Sequence, residues 1–186
     1  MMNNLKISFR YAKALFDLAI EFDVPDKVNE DMLSMASVCK SNRDFIVMLN
    51  SPVIHVDKKH KIMEMVFGAS FTKLSITFLN IITRKRRENY LPAIAKQFTE
   101  LYKEHMGITT VQLQSAFPMD EESRRKLTGL LEKMTNREIE LIEEVKAELL
   151  GGFVITLEDV QYDISLANRI KQLRKEFDKN LFIKGF

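Results

Sequence analysis

The chain has 186 residues, 46% of them hydrophobic and 29% charged, with a net charge of +2. That length and mixture describe an ordinary soluble globular protein of one large domain or two small ones; the small charge announces neither nucleic acid nor membrane binding, and no apolar run approaches the roughly eighteen residues of a membrane span. Cys39 is the only cysteine, which rules out an intrachain disulfide, favours a reducing compartment and, with only three histidines, makes a closed zinc site a poor fit.

Helical periodicity opens the chain. Ile7, Tyr11, Ala14, Leu15, Leu18 and Phe22 form one stripe, and Phe9, Ala12, Phe16 and Ala19 form a second apolar face on the same segment. Lys6 and Arg10 lie inside this repeat rather than before a separate apolar core, so no signal peptide is expected. Pro25 punctuates the break before a second helix marked by Val28, Met32, Met35 and Cys39. A short helix over Phe45 to Leu49 stops at Ser51-Pro52. Asp57 is expected to cap a fourth helix carrying Ile62, Met65 and Val66, with Gly68 at its end. The fifth runs from about Phe71 to Arg84 and is apolar on most of its circumference. Leu91, Ile94, Ala95, Phe98, Leu101 and Tyr102 mark a sixth, with Pro92 in the first turn and Gly107 at its end. Residues 1–106 thus read as an all-α, six-helix bundle.

After Gly107 the period drops to 2. Thr109, Val111, Leu113, Ser115 and Phe117 alternate with Ile108, Thr110, Gln112, Gln114 and Ala116, as in a half-buried strand, and Pro118 ends it. Asp120-Glu121-Glu122 supplies an acidic first turn, and Leu127, Leu130, Leu131 and Met134 the expected buried face of the next helix. Ile139, Leu141 and Val145 alternate with Glu138, Glu140 and Glu144 in a second strand; Phe153, Ile155 and Leu157 make a third, and Val160–Tyr162 a fourth. A last helix, capped at Asp163 or Ser165, carries Leu166, Ile170, Leu173 and Phe177, a stripe expected to pack on the sheet. Residues 107–186 therefore read as a small α/β domain with a short mixed sheet and two helices, and the whole chain as α+β.

No catalytic constellation emerges. His55 and His60 are five apart, on different sides of a helix. Cys39 lies on an apolar stripe, as a buried thiol does. Gly151-Gly152 lacks the spacing and the following Lys-Ser/Thr of a phosphate loop. The glutamates of residues 138–148 alternate with apolar residues, as on a solvated strand face. The run Arg84-Lys85-Arg86-Arg87 is the sharpest charged feature. It closes a 3.6-period segment, where cations complement the exposed carbonyls, and no aromatic residues interleave it. A phosphate-contacting patch, making the chain a helical nucleic-acid-binding adaptor through residues 84–87, is the competing reading.

Three stretches together resemble one family. The run from Arg10 to Ala19 resembles the opening helix of the delta subunit of F-type ATP synthases, relatives of the oligomycin-sensitivity-conferring protein. Leu79-Asn80 through Arg87, with Tyr90-Leu91-Pro92, Ile94 and Phe98, resembles that family's fifth-to-sixth helix passage. Ile139, Leu141, Val145, Lys146, Leu149, Gly151, Gly152, Phe153 and Ile155, followed by Asp163-Ile164-Ser165, resemble its C-terminal signature. Thr156 and Ile164 depart from it: a larger polar residue and a glycine are usual there.

The resemblance implies a non-catalytic stator subunit with no cofactor and no metal. It implies that the helical domain holds the N-terminal helix of the α subunit and that the second domain engages the membrane-anchored b subunits. Tyr11, Ala14, Leu18, Phe78 and Ile82 are then the expected groove residues for the α-subunit helix. Leu166, Ile170, Leu173 and Phe177 are the alternative contact for the b subunits. The expected place is the cytoplasmic face of the inner cell membrane, peripheral, without insertion, and no nucleic acid or small-molecule substrate is expected.

Overall fold

The computed structural model describes residues 2–157 and 160–180. Two compact units divide the chain, Met1–Met106 and Gly107–Phe186. The first holds α1 (Met2–Glu21), α2 (Pro25–Ser41), α3 (Arg43–Asn50), α4 (Val56–Phe67), α5 (Lys73–Arg84), a 3₁₀ turn (Glu88–Tyr90) and α6 (Leu91–Met106). The second holds β1 (Ile108–Ser115), α7 (Glu121–Thr135), β2 (Glu138–Val145), a 3₁₀ turn (Ala147–Leu149), β3 (Phe153–Leu157), β4 (Val160–Asp163) and α8 (Leu166–Asn180). Mixed helix and a small mixed sheet is the class anticipated.

The helix junctions follow local chemistry. Asp23 takes a left-handed φ of 56° after α1, and Pro25 enters α2 in its first turn, where a missing N–H costs nothing. Asn42 caps α3 by accepting from Phe45 N at 3.0 Å. Thr72 caps α5 by accepting from Ser75 N at 3.2 Å, and buried Asp31 of α2 accepts from Thr72 N and Oγ1 at 2.9 and 2.8 Å. The start of α5 is therefore tied to α2 by a charge-assisted pair of bonds.

Ser8, Ala12, Leu15 and Ala19 recur at helical spacing and are all buried. Three of the four are small, which lets α1 lie close against α6. Phe16 meets Phe98 of α6 edge to face at 5.6 Å. Met32 and Met35 of α2, Phe67 of α4, Leu79 and Ile82 of α5, and Leu91 and Ile94 of α6 complete one continuous core. Each large apolar side chain so buried contributes about 1.5–3 kcal/mol.

α4 differs from its sequence reading. It starts at Val56 after His55, so Asp57 sits in the first turn instead of capping it. Lys59, Met63 and Phe67, at i, i+4 and i+8, face inward, while Met65 and Val66 are exposed. The long Lys59 side chain is held inside by an ion pair: its Nζ donates to Glu88 Oε1 at 2.5 Å and to Leu49 O at 2.8 Å.

In the second unit the sheet order is β2-β1-β3-β4, with β1 parallel to β2 and antiparallel to β3, and β3 antiparallel to β4. Register aligns Val111 with Leu141 and Leu113 with Ile155 in one apolar layer, over which α7 lays Leu131 and Leu127. Leu130 and Met134 of α7 are exposed and Phe117 lies outside β1 in solvent, against expectation. A helix over one narrow layer buries one stripe, and β1 ends before Phe117 reaches it. Leu113 is paired with Glu143, which puts a carboxylate in line with the apolar face of β2. Arg124 of α7 reaches it, donating from Nε at 2.5 Å and Nη2 at 3.1 Å, and so fastens helix to strand. That hydrogen bond holds the Glu143 carboxyl below its usual range.

Candidate partner-binding surfaces

The double glycine is built against the Asp163–Ser165 segment. Gly151 O accepts from Leu166 N at 2.9 Å, and Phe153 O accepts from Ile164 N at 3.0 Å. Gly152 has φ +73°, and a Cβ there would stand 2.4 Å from Ile164 O. Asp163 accepts from Ser165 N at 3.0 Å, and buried Ser165 Oγ accepts from Asn168 N at 3.2 Å, starting α8. The two parts of the C-terminal signature thus form one clasp that fixes where α8 departs. Ile164 presents its side chain to solvent, and Thr156 is an ordinary ladder residue opposite Gln161.

α8 carries the second expected surface. Leu166, Ile170 and Leu173 are 48, 47 and 49% exposed, so the stripe is not packed away on the sheet as expected. α8 rests on the 3₁₀ turn Ala147–Leu149. Arg169 and Arg174 stand on either side of the stripe and are exposed. Phe177 belongs to α8, but its side chain lies outside the described residues.

On the first unit, Tyr11 and Phe78 meet edge to face with ring centroids 6.4 Å apart, bringing α1 and α5 together. Ala14 and Leu18 continue the Tyr11 stripe on the open side of α1, Leu18 at 40% exposure. Phe78 is 8% exposed and Ile82 has no accessible surface, so Ile82 supports this surface from the core and does not present to solvent. Ile81, one turn beyond Phe78, is exposed instead, as is Phe22 at the end of the α1 stripe. Sequence marked Phe22 within the stripe and the fifth helix as apolar on most of its circumference, and the resemblance put its Phe78–Ile82 face in the groove, whereas that face is buried and Ile81 is exposed.

The basic run closes α5. The backbone N–H groups of Lys85, Arg86 and Arg87 donate to Ile81, Thr83 and Ile82 carbonyls, with Arg86 at φ 53°. Arg87 turns back over Tyr11, its guanidinium carbon 5.5 Å from the ring centre and Nη1 donating to the phenol oxygen. This is a helix terminus and a cation–π contact, and sequence gave no signal for the Tyr11 partner. Cys39 is buried, which pushes its thiol up to about 11, far from a nucleophile's range. Among the described residues no helix is long and apolar enough to cross a membrane.

Comparison with known proteins agrees across nearly the full length. The chain is 33% identical to the ATP synthase subunit delta of Cytophaga hutchinsonii over 180 residues, 97% of this chain and 98% of that one. It is 34% identical to that of Salinibacter ruber over 172 residues, covering 92% and 90%. In structure it is similar to a chain of the Toxoplasma gondii mitochondrial ATP synthase hexamer, with a TM-score of 0.71 and 21% identity over 91% of this chain and 96% of that one; this likeness concerns the fold. None of these supports the nucleic-acid adaptor. With the model of the ATP synthase delta (OSCP) subunit matching residues 7–177, the chain belongs to that family, the non-catalytic peripheral-stalk component of the F-type ATP synthase.

Proposed function

We propose that residues 1–106 act as a six-helix bundle whose α1–α5 surface holds the N-terminal helix of an α subunit of the catalytic head. Residues 107–186 act as an α/β domain that engages the b subunits through the Leu166, Ile170, Leu173 and Phe177 stripe. The observation that carries the first half is the open apolar flank of α1 at Ala14 and Leu18, beside the Tyr11–Phe78 pair that joins α1 to α5. An amphipathic helix laid there would bury its apolar stripe on residues spaced to receive it. The half-exposed α8 stripe supports the second half in the same way.

The chain then works as a mechanical clamp at the cytoplasmic face of the membrane. The rotor turns under proton flow, and the head must not turn with it. No reacting group is required, only two attachments that resist torque. Once one attachment forms, the other becomes effectively intramolecular, so two modest interfaces hold together far better than either alone. Leu18→Asp puts a charge at the centre of the proposed groove. Sedimentation of the full chain with catalytic heads that lack it should then show the variant left unbound, with its helical circular dichroism retained. Unchanged co-sedimentation would remove Leu18 from the interface.

A further inference from the structure

α8 carries an apolar seam that its own unit leaves open. Leu166, Ile170 and Leu173 are about half exposed, and every residue from Arg169 to Glu176 is exposed on the helix surface. A helix of this length is marginal in water without tertiary packing, so the open seam calls for a cover. The 4-3 spacing of Leu166, Ile170 and Leu173, which Phe177 extends in sequence, is that of a narrow coiled-coil seam. Such a seam suits one facing helix better than a lipid surface, into which an amphipathic helix sinks a whole apolar face.

The charges beside the seam select the facing helix. With Leu166 and Leu173 at d positions, Arg169 falls at g and Arg174 at e, the two rows that border a seam and set which chain pairs with it. From Arg169 to Lys175 there are four cations and no acid. Arginine suits a bordering row, because its stem packs along the apolar seam while its planar fork takes a carboxylate through two parallel bonds. A second copy of the chain is a poor occupant, since a parallel pair would set Arg169 against Arg174 across the seam. Resting on the reading of α8 as the b-subunit contact, we propose that the segment it takes there is a helix whose narrow apolar seam is bordered by carboxylates. Arg169 and Arg174 are the residues that choose it.

The test is a calorimetric titration of the full chain with the b subunits of the same organism, their membrane anchors removed. Arg169→Glu with Arg174→Glu reverses the charge of both bordering rows and should weaken binding at least about tenfold, roughly 1.4 kcal/mol. Lys171→Glu with Lys175→Glu makes the same change in net charge on the side of α8 away from the seam. It should weaken binding less than about threefold, because water and salt screen charges that face solvent. All four side chains are exposed, so both double variants should keep the wild-type circular dichroism. Equal losses in the two double variants, or none in the first, would overturn the proposal. Leu173→Asp separates that failure from failure of the underlying reading. Binding lost in Leu173→Asp but indifferent to Arg169 and Arg174 leaves α8 as the contact and removes the acidic border. Binding that Leu173→Asp leaves unchanged removes α8 from the b-subunit contact and the proposal with it. Sedimentation of the wild-type chain with phosphatidylglycerol vesicles, where it shows no binding to the b subunits, would assign the basic helix to a lipid surface and overturn the proposal.

Discussion

Gly152→Ala and Gly151→Ala should separate sharply, although the two glycines are neighbours. At Gly152 the backbone has φ +73°, where an L side chain costs roughly 1–2 kcal/mol. The new Cβ would also stand 2.4 Å from Ile164 O, a backbone atom held by the Ile164–Phe153 bond. Relieving such an overlap in a packed site costs about 1–3 kcal/mol, giving roughly 2–5 kcal/mol in all. At Gly151 the Cβ would meet Leu166 Cδ1 at 2.6 Å, the tip of a half-exposed side chain that can rotate. A displaced rotamer costs about 0.5–1.5 kcal/mol, and the stiffer unfolded chain returns about 0.4–1. Urea unfolding followed by the methyl signals of Val154 and Ile155 reads the second unit alone. With a slope near 1 kcal/mol/M, Gly152→Ala should lower the midpoint by about 2 M or more and Gly151→Ala by less than about 1 M. A midpoint for Gly152→Ala equal to or above that of Gly151→Ala would refute the clasp as the reason for the glycines.

Lys59→Met leaves Glu88 buried without its cation and should cost about 3–5 kcal/mol, while Lys59→Met with Glu88→Leu recovers most of it; thermal melts of the single and double variants check this, and equal melts would contradict it. Asp31→Ala removes both acceptor contacts to Thr72 and should destabilise the first unit by about 2–3 kcal/mol. Hydrogen exchange should show the first turn of α5 opening early, and unchanged protection there would argue against the tether. Asp120, Glu143 and Asp163 are all held below the usual carboxylate range, by hydrogen bonds from Ser123, Arg124 and Ser165 respectively. Groups depressed in the folded state stabilise fully above their unfolded values, near pH 4, and lose that contribution as pH falls through the folded ones. The urea midpoint of the second unit should therefore fall on acidification below about pH 4, and Glu143→Gln should make that fall shallower; an identical slope in the variant would remove Glu143 from the acid response.

Strong periodicity was legible: the inward stripes of α2 and α6 and the alternation of β1 follow directly from residue spacing. What escaped the sequence were polar groups with distant partners. Nothing in the spacing marks Lys59 as buried, because its partner Glu88 lies 29 residues on. The place of Glu143 in an apolar register depends on Arg124 from the preceding helix. Face selection also failed where apolar residues exceed what one contact can bury, as with Leu130 and Met134 on α7 and Ile82 against Ile81 on α5. Only the packing partner decides which of two apolar stripes goes inside. The double glycine was visible as a conformational signal, whereas its reason, the close approach of Ile164 O, is tertiary.

The central claim, that the open flank of α1 beside α5 receives a helix from the catalytic head, is tested most directly by calorimetric titration of the full chain with a peptide from the N-terminus of the same organism's α subunit. The account predicts saturable binding of about one peptide per chain, little weakened by high salt because the contact is apolar, and lost in Leu18→Asp. Absence of binding, or binding that Leu18→Asp leaves unchanged, would contradict it.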